Sequence, residues 1–295
     1  MPDRDFVSVF EAARPNLMGL AYRILGSRAD AEDAVQDAFL KWQHADRAAI
    51  DNPGAWLTTV CTRRCLDLLR AAHRARVDYV GAWLPEPIHT PIEDDTEDKL
   101  DLASSLTTAF LLMLERLTPK ARAAYLLHDI FDVSYPDVAA TLDIRQDACR
   151  KLVSRARTDI ENAAVRHVTP LARQEELLAA FQTAITSGTP TRLVQLMSED
   201  IRLSADSGGK VPSVLGTLTG RTEVLAFLTD RLREWWADYQ WERADINGAR
   251  GFVLTRDQTT VGIVTFDYDA AGRVRDVFIM RNPDKLTEIR KGAIH

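Results

Sequence analysis

Ser134-Tyr-Pro-Asp-Val138-Ala139-Ala-Thr-Leu142-Asp143-Ile144-Arg145-Gln146-Asp-Ala-Cys149-Arg150-Lys151-Leu152-Val-Ser-Arg155-Ala-Arg157 decides how this 295-residue chain is read. Val138, Leu142, Ile144, Cys149 and Leu152 have the offsets that close the small core of a helix-turn-helix, with Ala139 where two helices cross tightly. Ser134 caps the first helix, with Asp137 in the capping-box position three residues on. Asp143 stands at the turn, where the backbone goes left-handed and Asp is tolerated better than most residues. Five cations between Arg145 and Arg157 then fall on a helix whose apolar face is already used. Such a helix suits a DNA major groove, where Arg or Gln reads base edges and Lys or outlying Arg grips phosphate.

Charge narrows the partner. The net charge is −6, which is unusual for a protein that holds DNA unaided. Residues 1–75 carry ten basic and ten acidic side chains, 105–168 nine and eight, and 169–295 sixteen and seventeen. Residues 76–104 carry two and eight, so the deficit lies in that segment. Basic helices in an acidic chain predict weak binding to naked DNA and a need for a helper protein. An acidic amino terminus, and no apolar run near the length of a membrane span, argue against a secretory leader or a transmembrane helix. Three cysteines, Cys61, Cys65 and Cys149, make no disulfide framework and fit the cytoplasm. Cys61 and Cys65 lie one helical turn apart with His44 and His73 nearby, yet two such thiols on an apolar face read first as small core residues. No metal or cofactor is expected.

Upstream, Leu17, Leu20, Ala21, Ile24 and Leu25 keep a helical stripe that Gly26 ends. Ser27 with Asp30 opens a second helix, whose apolar face holds Val35, Ala38, Phe39 and Trp42 and whose other side is rich in acid and amide. Asn52-Pro53 starts a third, burying Leu57, Cys61, Cys65 and Leu68–Leu69. From 76 to 104 periodicity collapses into a linker, with a stiff Trp83-Leu-Pro85-Glu-Pro87 and an acidic run from Glu93 to Asp98. Helical spacing returns at Phe110, Leu111, Leu114 and Leu117. After Pro170, two amphipathic helices (Leu177 to Ile185, Val224 to Trp236) precede strand-like Tyr239–Ile246, Phe252–Thr255, Val261–Tyr268 and Val274–Met280. The expected fold class is two all-α domains, a bundle and a helix-turn-helix, followed by an α+β domain.

On these residues the chain resembles the extracytoplasmic-function (ECF) sigma factors, in the subgroup carrying a SnoaL-like carboxy-terminal extension. The landmarks are Asp30-Ala-Glu32-Asp33-Ala-Val-Gln36-Asp37-Ala-Phe39-Leu-Lys-Trp42 and Pro53-Gly-Ala-Trp56-Leu, then Trp83-Leu-Pro85-Glu-Pro87, Asp206-Ser-Gly208-Gly209-Lys210 and Asn282-Pro283-Asp284-Lys285-Leu286. Ser207 departs from the subgroup's Asp-Gly-Gly-Gly-Lys, at a position where positive φ would strain a serine. The resemblance implies a σ2 domain over 1–75, an acidic linker over 76–104, σ4 over 105–168 and a cone-shaped SnoaL-like domain over 169–295.

It further implies that Asp33, Gln36, Asp37 and Phe39 dock on the β′ subunit of core RNA polymerase, and that the linker runs through the polymerase cleft. Trp56, Arg63, Asp67 and Arg70 would take the unpaired minus-10 strand, by stacking and phosphate grip. Arg145, Gln146, Arg150, Lys151 and Arg155 would read the minus-35 duplex. The implied activity is promoter-specific initiation, adjusted in cis by the third domain, with core polymerase (β′ and β) and promoter DNA as partners. A monomer is expected in the holoenzyme; a homodimer of the free protein and a small-molecule ligand in the cone stay open. Two other readings compete. A ligand-responsive helix-turn-helix regulator that does not replace sigma leaves the Asp30–Trp42 surface and acidic linker without a role. An enzyme fused to a DNA-binding module would draw on Asp206, Tyr239, Asp245, Asp267 or Asp276 in a cone pocket.

Overall fold

A computed structural model of the chain describes residues 3–76, 79–89, 105–162, 169–214, 216–287 and 289. In chain order the elements are α1 (Asp3–Leu25), α2 (Arg28–His44), α3 (Pro53–Arg76), α4 (Thr108–Glu115), α5 (Pro119–Tyr125, continued by a π-helical turn Leu126–Ile130), α6 (Tyr135–Leu142) and α7 (Gln146–Asn162). Then come α8 (Leu171–Ser187), α9 (Thr191–Leu196), β1 (Met197–Asp206), β2 (Thr217–Thr219), α10 (Arg221–Ala226, extended by a π turn Phe227–Leu232), α11 (Arg233–Trp235), and β3 (Gln240–Ile246), β4 (Ala249–Arg256), β5 (Thr259–Tyr268) and β6 (Val274–Met280). They form two compact units, 1–77 with 113–163, and 78–112 with 164–295.

In the first unit the helix ends are set locally. Ser27, Asn52, Thr118 and Ser134 each accept a backbone N–H three residues on. Gly26 ends α1 at φ +67°, and Asp143 ends α6 at φ +50°, ψ +59°. Leu17, Leu20, Ile24 and Leu25 of α1 are buried, as are Val35, Ala38 and Trp42 of α2 and Leu57, Cys61 and Cys65 of α3. On α3 it is Leu66 and Leu69 that go fully inside, with Leu68 half-buried. The helix-turn-helix core is Val138, Ala139 and Leu142 against Cys149, Val153, Ala156 and Ile160; Leu152 is half-buried because Val153 takes the inward direction. Two arginines lie inside the unit. Arg122 donates to the Ile24 carbonyl at 2.6 Å and to Glu115 at 2.7 Å. Arg23 donates to the Gly19 carbonyl and stands over the Phe131 ring, and burial lowers its guanidinium to about 10.

The second unit is a six-stranded sheet of order β2-β1-β6-β5-β4-β3, antiparallel except for β1 beside β6. Two-residue turns at Asn247-Gly248 and Asp257-Gln258, all with positive φ, join β3 to β4 and β4 to β5. One sheet face (Leu203, Phe252, Leu254, Val264, Phe266, Val277, Ile279) packs with Leu177, Leu178, Phe181 and Ile185 of α8, and with Val224, Leu228 and Trp236. Residues 79–89 belong to this unit instead of bridging free space. Leu84, Pro85 and Pro87 are buried, Asn247 N–H donates to the Ile88 carbonyl at 3.0 Å, and His89 bridges Ile246. Thr108 meets Thr265 at 3.1 Å, so α4 begins on the sheet as well. The acidic run 93–98 and the end of the expected σ4 domain, 163–168, lie outside the described residues.

Candidate functional site

Arg145, just before α7, and Gln146, Arg150, Lys151 and Arg155 on it are all exposed, because Cys149, Val153, Ala156 and Ile160 take the inward positions of each turn. Arg145 pairs with Asp147 at 3.0 Å, and the Arg150 guanidinium stands 5.5 Å from the centre of the Tyr135 ring. Arg157 is bound by both oxygens of Asp129, at 2.7 and 3.1 Å, which raises its already high basicity and holds it to the scaffold.

On α2, Asp33 and Gln36 are exposed, whereas Asp37 forms an ion pair with Arg64 of α3 at 2.5 Å. Phe39 is half-buried against Phe10, with ring centres 4.8 Å apart. Gln36 and Phe39 line a groove of about 290 Å³ between α1 and α2, with Phe10, Arg14, Met18 and Glu32 on its walls. The acidic row is therefore only half of this surface. Beside it lies an apolar socket contributed by α1, and Leu40 is 46% exposed next in sequence.

The four α3 candidates do not form one open patch. Trp56 is half-buried on Trp42, 5.6 Å between ring centres. Asp67 and Arg70 pair with each other at 3.0 Å on the surface. Arg63 donates Nε to the Thr141 carbonyl at 2.9 Å and Nη2 to the Ala140 carbonyl at 3.0 Å. It also lines, with Asp67 and Arg70, a cleft of about 530 Å³ that Lys120, Thr141 and Asp143 complete.

The three remote motifs converge in the second unit, on Asp206. Its side chain is fully buried at the end of β1. One carboxylate oxygen accepts the Tyr79 hydroxyl at 2.5 Å and Gly208 N–H at 3.0 Å; the other accepts Leu84 N–H at 2.9 Å and Lys285 Nζ at 2.8 Å. Lys285 also donates to the Leu84 carbonyl at 2.6 Å, with its ammonium 4.4 Å from the Trp83 ring centre and 5.1 Å from that of Tyr79. Burial, with the Asp206 carboxylate second, pushes the Tyr79 hydroxyl up, so it stays a donor. Asn282 donates to the Tyr79 oxygen at 2.8 Å and caps the short turn of Pro283, Asp284 and Lys285 by accepting Asp284 N–H. Lys210 pairs with Asp284. Positive φ falls on Gly208 (+58°) and Gly209 (+71°) and not on Ser207, so the serine is unstrained; its hydroxyl accepts Gly209 N–H at 3.3 Å. A Cβ on Gly208 would lie 2.6 Å from Asn282 Nδ2, so the middle motif requires glycine there.

Tyr79 and the Leu84 backbone were not singled out by sequence, although Tyr79 is the aromatic nearest the linker's tryptophan. The residues weighed for catalysis are each tied to a basic side chain. Asp206 has Lys285, Asp245 has Arg250, Asp276 has Arg202 at 2.7 Å, Asp267 has Arg275 at 2.9 Å, and the Tyr239 oxygen accepts from Arg281. Burial lifts the Asp267 carboxyl to about 6 against the pull of Arg275. Cys61 and Cys65 are buried free thiols, and the hydrogen bond between the two, ahead of burial, raises the Cys65 thiol. Among the described residues no group of three or more His, Cys, Asp or Glu is placed to hold a metal, and no helix is long and apolar enough to cross a membrane.

Comparison with known proteins agrees with this arrangement. Residues 9–75 match Sigma-70 region 2, and residues 107–160 match Sigma-70, region 4. The ECF RNA polymerase sigma factor SigJ of Mycobacterium tuberculosis H37Rv is 39% identical over 224 residues, covering 75% of this chain and 72% of its own. The probable ECF sigma factor SigI of the same species is 28% identical over 98% of both chains. The crystal structure of M. tuberculosis SigJ superposes with a TM-score of 0.75 at 33% identity, over 95% of this chain and 98% of that one. The two regional matches, the shared helical and six-stranded architecture and the extent of the likeness to SigJ lead to one assignment: the chain belongs to the ECF RNA polymerase sigma factors, with a carboxy-terminal extension.

Proposed function

We propose that the protein acts by binding, as the promoter-recognising subunit of RNA polymerase, and that its carboxy-terminal unit adjusts that activity through the linker. The observation that carries the first half is the pairing, within one chain of this family, of two exposed surfaces. One is the acid, amide and aromatic groove of α1 and α2; the other is the cation-and-glutamine row of α7. The first suits a protein partner with a basic and apolar face. The second suits duplex DNA, at roughly 1–3 kcal/mol for each base-reading contact. A chain of net charge −6 gains little from phosphate neutralisation on its own, which fits recognition that works only with core polymerase bound.

Convergence on Asp206 supports the second half. A carboxylate from β1 and the Lys285 ammonium grip Leu84 N–H and C=O together, so the segment after α3 cannot leave the sheet without breaking two charge-assisted hydrogen bonds and uncovering a buried ion pair. The test is run-off transcription with purified core polymerase. The full chain, a version ending at His167, and Lys285→Met would be compared. The expected result is a core-dependent transcript whose yield differs among the three. Specific duplex binding by the protein alone, with no core-dependent transcript, would return the chain to the conventional regulators. Equal yields from all three would remove the carboxy-terminal control.

A further inference from the structure

Two arginines of the minus-35 row are held in place by the protein itself, and by different means. Arg145 pairs with its own neighbour Asp147, in an exposed ion pair of little strength. Arg150 is held from the other helix. Its guanidinium stands 5.5 Å from the centre of the Tyr135 ring, in the first turn of α6. That ring is fixed in turn. The His128 imidazole packs against it, with ring centres 3.8 Å apart and planes at 33°. His128 donates Nδ1–H to the Val133 carbonyl at 2.9 Å, and Val133 N–H donates to the Leu127 carbonyl at 2.9 Å, so the imidazole is pinned to its own turn. His128 lies in the π turn Leu126–Ile130, where wider winding redirects side chains that an α-helix would point elsewhere. From the same turn Asp129 grips Arg157 with both carboxylate oxygens, two helical turns along α7 from Arg150. One short stretch of chain thus braces the recognition helix at two points.

An arginine reads a base edge through two parallel N–H bonds from a planar group, so the tilt of the guanidinium decides which base it accepts. The side chain has many rotamers, and ordering them on binding costs affinity unless they are ordered beforehand. We infer that Tyr135 is a positioning residue for minus-35 recognition: its ring holds the Arg150 guanidinium at one height and angle beside α7, and so sharpens the preference at the one base pair that Arg150 reads. The base suited to that fork offers two acceptors on its major-groove edge, as guanine does. The contribution comes through the face of the ring and not through its hydroxyl. The inference rests on the reading of α7 as the minus-35 helix, and adds to it a residue of α6 that acts through Arg150.

The test is the affinity of holoenzyme, full chain with core polymerase, for a promoter and for versions with each minus-35 base pair changed in turn. Wild type, Arg150→Ala, Tyr135→Leu, Tyr135→Phe and Tyr135→Leu/Arg150→Ala would be compared. Arg150→Ala should flatten the preference at one base pair by about tenfold. Tyr135→Leu should lower it at that same base pair by about threefold and leave the other positions as they are, a pattern that general loosening of the fold would not give. Tyr135→Phe, which keeps the ring, should match wild type, and Tyr135→Leu should add nothing once Arg150 is gone. A second measurement needs no substitution: in the free chain labelled with 15N-arginine, Arg150 Nε–H should be more restrained on the ps–ns timescale than Arg155 Nε–H. An unchanged preference in Tyr135→Leu, an equal loss at every base pair, a Tyr135→Phe variant as impaired as Tyr135→Leu, or equal mobility of the two arginines would each overturn the role of Tyr135 and leave the minus-35 reading standing. Arg150→Ala without effect at any base pair would remove the reading of Arg150, and the inference with it.

Discussion

Replacing Lys285 with methionine removes the ammonium bonded to Asp206 while keeping the length of the side chain. Asp206 is 0% exposed and the Lys285 side chain 10%, so solvent screens this pair poorly. Breaking one side of a buried ion pair costs about 3–5 kcal/mol, mainly because the remaining charge is stranded. Tyr79, Leu84 and Gly208 still donate to the carboxylate, which puts the expected cost at the lower end, about 3 kcal/mol. Leu84 N–H reports the change directly, since it donates to Asp206 and is buried. At roughly 1.4 kcal/mol per tenfold, its hydrogen exchange should speed up by on the order of a hundredfold. Asp206→Asn alone should also loosen the segment, because an amide cannot accept from four donors. The double variant should cost less than the two single changes summed, by at least about 1 kcal/mol. Leu84 exchange within threefold of wild type in Lys285→Met would refute the argument, by showing that the carboxylate is held adequately without the ammonium.

Three further outcomes are expected. Lys151→Ala should weaken holoenzyme binding to all promoters alike and reduce the salt slope by about one, whereas Gln146→Ala or Arg150→Ala should relax preference at single minus-35 positions by roughly 1–3 kcal/mol, measured as promoter affinities across a salt series. Asp267, lifted by burial to about 6 from its ordinary 3.8, favours its neutral form when folded; its contribution is full below about pH 4, lost as pH rises toward 6, and on the order of 3 kcal/mol at most. The stability of wild type relative to Asp267→Asn should therefore rise as pH falls from 6 to 4 in urea unfolding of the second unit, and a difference independent of pH would contradict the assignment. Gly208→Ala puts a Cβ at φ +58° and 2.6 Å from Asn282 Nδ2, so it should destabilise the loop by about 1–3 kcal/mol and loosen Tyr79, read as Tyr79 and Leu84 exchange.

What was legible in the sequence was what neighbouring residues decide. Ser27, Asn52, Thr118 and Ser134 signal helix starts because each cap is bonded three residues on, and Asp143 at the helix-turn-helix corner needs only its own backbone preference. β3 to β6 are legible as apolar runs separated by turns. β1 is not, because its partner in parallel pairing is the last strand and its register shifts between Met197 and Arg202, which disturbs the alternation. Asp206 was visible as part of a loop motif, but not as the buried end of a strand. Its Tyr79 partner lies 127 residues away, and spacing carries no information at that range. The linker reads as a break in periodicity because prolines forbid helix, yet the same prolines leave the segment free to lie against the end of β1, where Leu84 meets Asp206. Arg63 illustrates a different limit. Its type and helix position point to a phosphate, while its observed partners are backbone carbonyls, which look alike at every residue of a sequence.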